Sequence, residues 1–196
     1  IVNLVVGFFV GLASGATVVI SQYYGAGDQK HLKRSLHTAY AFSVVGGIII
    51  SIMGILITRP LLKLMNTPDN IIDLSATYLC IYFAGLVFVF IYNVGAGILR
   101  AVGDSRRPLY FLILCCFINI ILDIILIVFL KMGVAGAAIA TTFSQGISAV
   151  MVTVTLCRTT DIFRLRVKKI RFHAQPMGMI VKIGLPAGLQ SVMYSL

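Results

Sequence analysis

Five long apolar runs and the start of a sixth, separated by short stretches that hold nearly all the charge, dominate this chain. The runs cover residues 1–27, 36–58, 74–99, 109–130 and 133–157, and the sixth begins near Pro176. A helix rises about 1.5 Å per residue and bilayer hydrocarbon is about 30 Å thick, so about 20 apolar residues make one span. The runs are continuous and lack period-two alternation, which selects helices over barrel strands. Only 11% of the 196 residues are charged, and mean hydropathy is +1.01. Soluble domains carry roughly 25% charged residues, so the apolar surface here needs lipid as its solvent. The expected fold class is an all-α, polytopic membrane helical bundle.

A net charge of +10 raises the question of a nucleic-acid partner. The placement of the charge argues against one, because the basic residues sit between apolar runs, where membrane proteins keep them. Lys30, Lys33, Arg34, Arg100, Arg106, Arg107, Arg158, Arg164, Arg166, Lys168, Lys169, Arg171 and Lys182 fall on one side of the alternating spans. Arg59, Lys63 and Lys131 fall on the other. The positive-inside rule puts the larger set in the cytoplasm. Residues 162–172, IFRLRVKKIRF, mix apolar and basic side chains and read as a solvated basic linker between two helical bundles, with some contact to anionic lipid. The chain starts at Ile1 rather than Met and its sixth run stops at Leu196, so it reads as a piece of a longer protein.

Asp123 is the one acid inside a span. A carboxylate at membrane depth costs about 2.5–3.5 kcal/mol on insertion scales, so a partner or a cavity must offset it. Asn119 precedes it by four residues and shares its helix face. Counting residues from the short connection at 131–132 sets Thr141 of the next run level with Asp123, roughly 12 Å from the outer end. A carboxylate, an amide oxygen and a hydroxyl are hard oxygen donors suited to a proton or a sodium ion. The alternative is an interhelical hydrogen bond that pins the two helices together.

The remaining polar residues carry weaker signals. Asn93 and Ser51 read as bonded to backbone. Tyr78, Tyr82 and Tyr92 read equally as cavity lining or as interface. His31, His37 and His173 lie at cytoplasmic ends and read as surface residues. Pro186 lacks an N–H and is expected to bend or locally unwind its helix. Cys80, Cys115, Cys116 and Cys157 lie in apolar runs without metal-ligand spacing, as packing residues do. Small residues every fourth position, Gly7, Gly11 and Gly15 and then Gly136, Ala140, Ser144 and Ser148, predict close helix packing. No phosphate loop, zinc motif or nucleophile–base pair is present, so neither an enzyme nor an organic cofactor is expected.

Several segments resemble the multidrug and toxic compound extrusion (MATE) family. They are GATVVISQYYGAGD (15–28), GILRAVGDSRRP (97–108), NIILD (119–123), GVAGAAIATTFSQ (133–145) and IGLPAGLQS (183–191). Their order and spacing match the family's second to seventh helices. The resemblance implies a twelve-helix transporter of two lobes, of which this chain supplies a part. Residues 1–157 are then helices two to six of the N-terminal lobe, 158–175 a cytoplasmic linker, and 176–196 the start of the C-terminal lobe. It also implies export of cationic or amphipathic small molecules across the cytoplasmic membrane against inward H+ or Na+, with no obligate protein partner. Asp123, Asn119 and Thr141 match three of the four residues of the family's first-lobe cation site. The fourth, an acid on helix one, has no counterpart in this chain. The alternatives are a lipid-linked oligosaccharide flippase, with Lys182 as its cation for a pyrophosphate headgroup, and a non-transporting membrane scaffold.

Overall fold

In hydrocarbon every backbone N–H and C=O must be satisfied within its own segment, and the apolar runs meet this by forming helices. The computed structural model describes residues 2–64, 68–159, 162–166 and 173–194. These residues form α1 (Val2–Gly25), α2 (Gln29–Leu64), α3 (Asp69–Ala101), α4 (Arg106–Asp123), α5 (Gly133–Arg158) and α6 (Ala174–Tyr194). Among the described residues four helical stretches are long and apolar enough to cross a membrane: Gln29–Leu64, Ile71–Ala101, Arg106–Phe129 and Gly133–Arg158.

α2 outruns its apolar core. α2 holds 36 residues, about 54 Å of helix, against the 36–58 run read from hydropathy. Lys30, Lys33 and Arg34 therefore sit in its first turns rather than in a loop, and it continues past Pro60 to carry Arg59 and Lys63 at its far end. Asp28 caps its start: the His31 backbone N–H donates to Asp28 Oδ1 at 3.1 Å, and His31 Nδ1 lies 2.6 Å from Asp28 Oδ2. An N-cap carboxylate satisfies a helix donor and faces the positive end of the dipole. The His31 backbone bond, followed by its side-chain bond, holds the Asp28 carboxyl below the usual carboxylate range. A depressed folded pKa adds stability that is present above the unfolded pKa and lost as pH falls through the folded one. Asp28→Ala is therefore expected to lower the thermal unfolding midpoint at neutral pH. The gap from wild type should close as the solution is acidified below the carboxylate range; a gap that stays constant in acid means the cap contributes nothing.

α4 ends differently from the straight helix its apolar run predicts. Residues Ile124–Phe129 form a π-helical turn, the chain reverses through Lys131 (φ 52°), and α5 starts at Gly133 (φ 55°). The connection is as short as expected, and α4 and α5 pack side by side in opposite directions. Nothing in the six apolar residues IILIVF separates this wider turn from an α-turn.

The helices are not packed evenly along their length. The largest buried cluster joins Val19 and Ile20 of α1, Leu32 and Leu36 of α2, Ile98 and Leu99 of α3, Leu156 of α5 and Ile180 of α6. All of these lie toward the end that carries the larger basic set. A smaller cluster, Ile50 with Phe83, Leu86 and Phe90, joins α2 to α3 further along. Tyr40 and Thr153 add a hydroxyl pair between α2 and α5 at 2.7 Å, and Tyr92 donates to the Pro108 carbonyl at 2.9 Å, tying α3 to the start of α4. Among the described residues the larger buried cluster therefore lies at the basic end.

α1 and α6 touch backbone to backbone. A Cβ at Gly11 would lie 2.3 Å from Gly188 Cα, and one at Gly15 would lie 2.5 Å from Gly184 N. The four-residue spacing of small side chains thus serves close packing. The α5 stripe of Gly136, Ala140, Ser144 and Ser148 is likewise buried.

The linker departs from its reading as a solvated segment. Phe163 and Leu165 are buried in the main cluster, and Leu165 N–H donates to Leu156 O at 2.9 Å. An apolar pair between arginines folds back onto the bundle because burying two such side chains outweighs ordering the short segment between them. Residues 167–172 of the same stretch lie outside the described residues.

Candidate cation-binding site

α4 touches the rest of the bundle along one narrow stripe, and the residues around it are exposed. Cys115 marks one end of the stripe, its Sγ donating to Ser144 O of α5 at 3.0 Å. Leu126 marks the other, with its Cβ 3.2 Å from where a side chain on Gly136 would begin. Asn119 and Asp123 follow Cys115 at four-residue steps, so they share the face that looks at α5. Flanking Ile120, Ile121 and Phe117 are exposed, as residues facing lipid are.

Both polar side chains on this stripe hold an unmatched atom. Asp123 Oδ1 and Asn119 Nδ2 are shielded from solvent and have no hydrogen-bond partner among the described residues. Leaving a buried polar atom unpaired costs about 1–3 kcal/mol, and more when it is charged. A hydrogen bond between the two would cancel part of that cost, yet it is not formed. The amide oxygen and nitrogen of an asparagine exchange places by a half-turn, so Asn119 can present an oxygen beside the Asp123 carboxylate. Such a pair suits a proton or a small hard cation.

Thr141 is half-buried on α5. The Cys115–Ser144 and Leu126–Gly136 contacts together set Thr141 opposite Asn119, about one turn deeper than Asp123. Equal residue counting from the connection had placed it level with Asp123. The two helices therefore drift out of equal register between these two contacts. Thr142 points elsewhere: its Oγ1 donates to Ile81 O of α3 at 3.2 Å, and Gly85 leaves room for it. At about 100° per residue, Thr141 then faces the interior between the α3 and α4 contacts.

Other polar residues resolve individually. Asn93 donates to Val89 O at 2.8 Å, as a backbone-bonded amide should. Ser51 does not follow that reading: it is buried and its Oγ lacks a partner among the described residues. Tyr78 and Tyr82 stack at 6.2 Å. All four cysteines are free thiols. α6 runs as helix through Pro186, whose missing N–H deprives the Lys182 carbonyl of its usual donor. Lys182 itself is exposed. His31 lies at the surface beside Asp28, but His37 is buried at 7% exposure, against its reading as a surface residue. Neither His37 nor the π-helical turn carried a local signal in the sequence.

Among the described residues no group of three or more His, Cys, Asp or Glu side chains comes together. The donor set on the α4–α5 face is therefore one carboxylate, one amide and one hydroxyl.

Comparison with known proteins agrees with this architecture. The family model MatE matches residues 1–125. The chain is 32% identical over 98% of its length to the probable multidrug resistance protein YoeA of Bacillus subtilis, covering 43% of that protein. It is 33% identical over 97% of its length to the probable multidrug resistance protein YpnP of the same organism, covering 42%. An inward-facing multidrug resistance MATE family transporter of the MOP superfamily superposes with a TM-score of 0.89 at 26% identity, over 97% of this chain and 43% of that one. The outward-facing conformation of such a transporter gives 0.90, also at 26% identity, over 98% and 43%. The chain thus spans about two fifths of the length of these relatives. Apolar helices able to cross a bilayer several times, matched to these sequences and folds, make this chain a multi-pass membrane protein of the MATE family.

Proposed function

We propose that this chain is the ion-coupling part of a secondary active exporter of cationic or amphipathic compounds, driven by inward H+ or Na+ across the cytoplasmic membrane of a prokaryote. One observation carries the reading: the unmatched Asp123 carboxylate oxygen beside the unmatched Asn119 amide, on the face that α4 turns toward α5. Residues 1–157 then belong to the first lobe, 158–175 to the linker, and 176–196 to the start of the second lobe. The basic end faces the cytoplasm, and the opposite end gives the site access to the outside. Ion entry neutralises Asp123 and favours one packing of α4 against α5; the drug favours the other. Coupling follows only because the two packings bind the ion with different affinity.

The test is transport by the full-length protein in liposomes, with a fluorescent organic cation as cargo and one imposed gradient at a time. Export driven by a proton gradient or by a sodium gradient supports the reading, and names the ion. Export that ignores both gradients overturns it. Asn119→Ala and Thr141→Ala each remove one oxygen donor and should raise the ion concentration for half-maximal export by about tenfold, the equivalent of one lost buried hydrogen bond.

A further inference from the structure

His37 is the one buried histidine among the described residues, and its two ring nitrogens have different partners. Nδ1 lies 2.7 Å from the Lys33 carbonyl oxygen. A carbonyl only accepts, so Nδ1 carries the hydrogen. The backbone N–H of Arg166 donates to Nε2 at 3.2 Å, so Nε2 presents its lone pair. The two bonds together admit a single species, the neutral Nδ1–H tautomer.

Arg166 belongs to the connection between α5 and α6, and the described residues 162–166 of it form a strap against the basic end of the bundle. Leu165 N–H donates to Leu156 O, and Arg164 Nε donates to Cys157 O at 3.0 Å. Phe163 and Leu165 are inserted in the core. Just ahead of α6, His173 N–H donates to Thr38 Oγ1 at 3.2 Å. His37 holds the strap from the α2 side.

We propose that His37 is a pH-sensitive latch: neutral, it holds residues 163–166 on the bundle, and protonation at Nε2 releases them. Protonation makes Nε2 a donor aimed at the Arg166 donor, so the bond is lost and two N–H groups confront each other. It also puts a charge in a buried place. Among the described residues the basic and neutral titratable groups at this end include Lys33 and Arg34 on α2, Arg100 on α3, Cys157 and Arg158 on α5, Arg164 and Arg166 in the strap, and His173 and Lys182 at α6, while Asp161 lies outside the described residues. Among the described residues the acids here, Asp28 and Asp104, are engaged with His31 and Arg107. His173 differs from His37, because its Nδ1 lies 3.3 Å from the Thr38 hydroxyl, which both donates and accepts. The latch rests on these bonds alone and stands whether or not Asp123 binds the coupling ion. With the basic end in the cytoplasm, it opens on cytoplasmic acidification.

Backbone hydrogen exchange of the full-length protein in lipid nanodiscs tests this at about pH 7.5 and about pH 5.5, which bracket the ordinary histidine range. Rates are corrected for the intrinsic pH dependence of exchange. In the wild type, protection of the segment 163–166 should fall by about tenfold at the lower pH, the loss of one buried bond. His37→Gln places an oxygen near Nε2 that accepts from Arg166 and does not titrate, so protection should persist at both pH values. His37→Ala should show the same roughly tenfold lower protection at both pH values, and His173→Gln should keep the wild-type response. Wild-type protection that is independent of pH, parallel loss in His37→Gln, or full protection in His37→Ala overturns the proposal.

Discussion

Asp123→Asn in the full-length transporter is expected to reduce drug export to the level of a membrane without it, while expression and folding are retained. The asparagine fills nearly the same volume, so α4 keeps its packing against α5. Removing a carboxylate from membrane depth relieves a cost of about 2.5–3.5 kcal/mol, so the variant should be no less stable than wild type. What it loses is the group that changes charge. A neutral amide cannot take up a proton and holds a sodium ion less strongly than a carboxylate does, so under the coupling proposed above the ion gradient would no longer distinguish the two packings. Drug binding should survive, which a fluorescence titration of the purified variant reads directly. Export at the wild-type rate under the same gradient would instead make Asp123 a structural pin.

The second large effect is expected at the α1–α6 seam. Gly15→Ala places a methyl 2.5 Å from Gly184 N and 2.7 Å from Ile180 O, and Gly11→Ala places one 2.3 Å from Gly188 N. These neighbours are backbone, so no rotamer change makes room and α6 must retreat. Overpacking of this kind costs about 1–3 kcal/mol. Lipid supplies no hydrophobic drive to bring helices back together, so close contact is itself the source of association. Both variants should therefore show a lower unfolding midpoint and weakened export with Asp123 intact. Gly178→Ala is the control, because nothing lies within 4 Å of its position, and alanine is the better helix former. Equal midpoints for Gly15→Ala and Gly178→Ala would mean the seam is not under compression.

The sequence made some of this plain and hid the rest for physical reasons. Helix number, the α4–α5 pairing and the stripes of small residues followed from run length and spacing, which are local quantities. Asp123 stood out because charge within hydrocarbon is costly wherever it occurs. His37 was invisible by the same local logic, since beside Lys33 and Arg34 it looks like any solvated histidine. What covers it is a strap more than a hundred residues downstream. The depth of Thr141 depends on how α4 and α5 drift out of register, and the π-helical turn at Ile124–Phe129 has apolar residues that look identical to α-helical ones; neither is a local quantity. Ser51 reads as bonded to backbone on the usual habit of helical serines, yet its buried Oγ has no partner among the described residues.

The seam between α1 and α6 also sets an order of events during synthesis. Gly11 and Gly15 leave the ribosome some 170 residues ahead of Gly184 and Gly188, or roughly 10–30 s earlier at ordinary elongation rates. Through that interval α1 faces lipid, or another helix, with the very surface that later meets α6. The rest of the first bundle can assemble from neighbours in sequence, but this joint closes last. Chains stalled or cleaved before α6 emerges leave a glycine-lined groove on α1, the kind of surface that membrane quality control is placed to recognise.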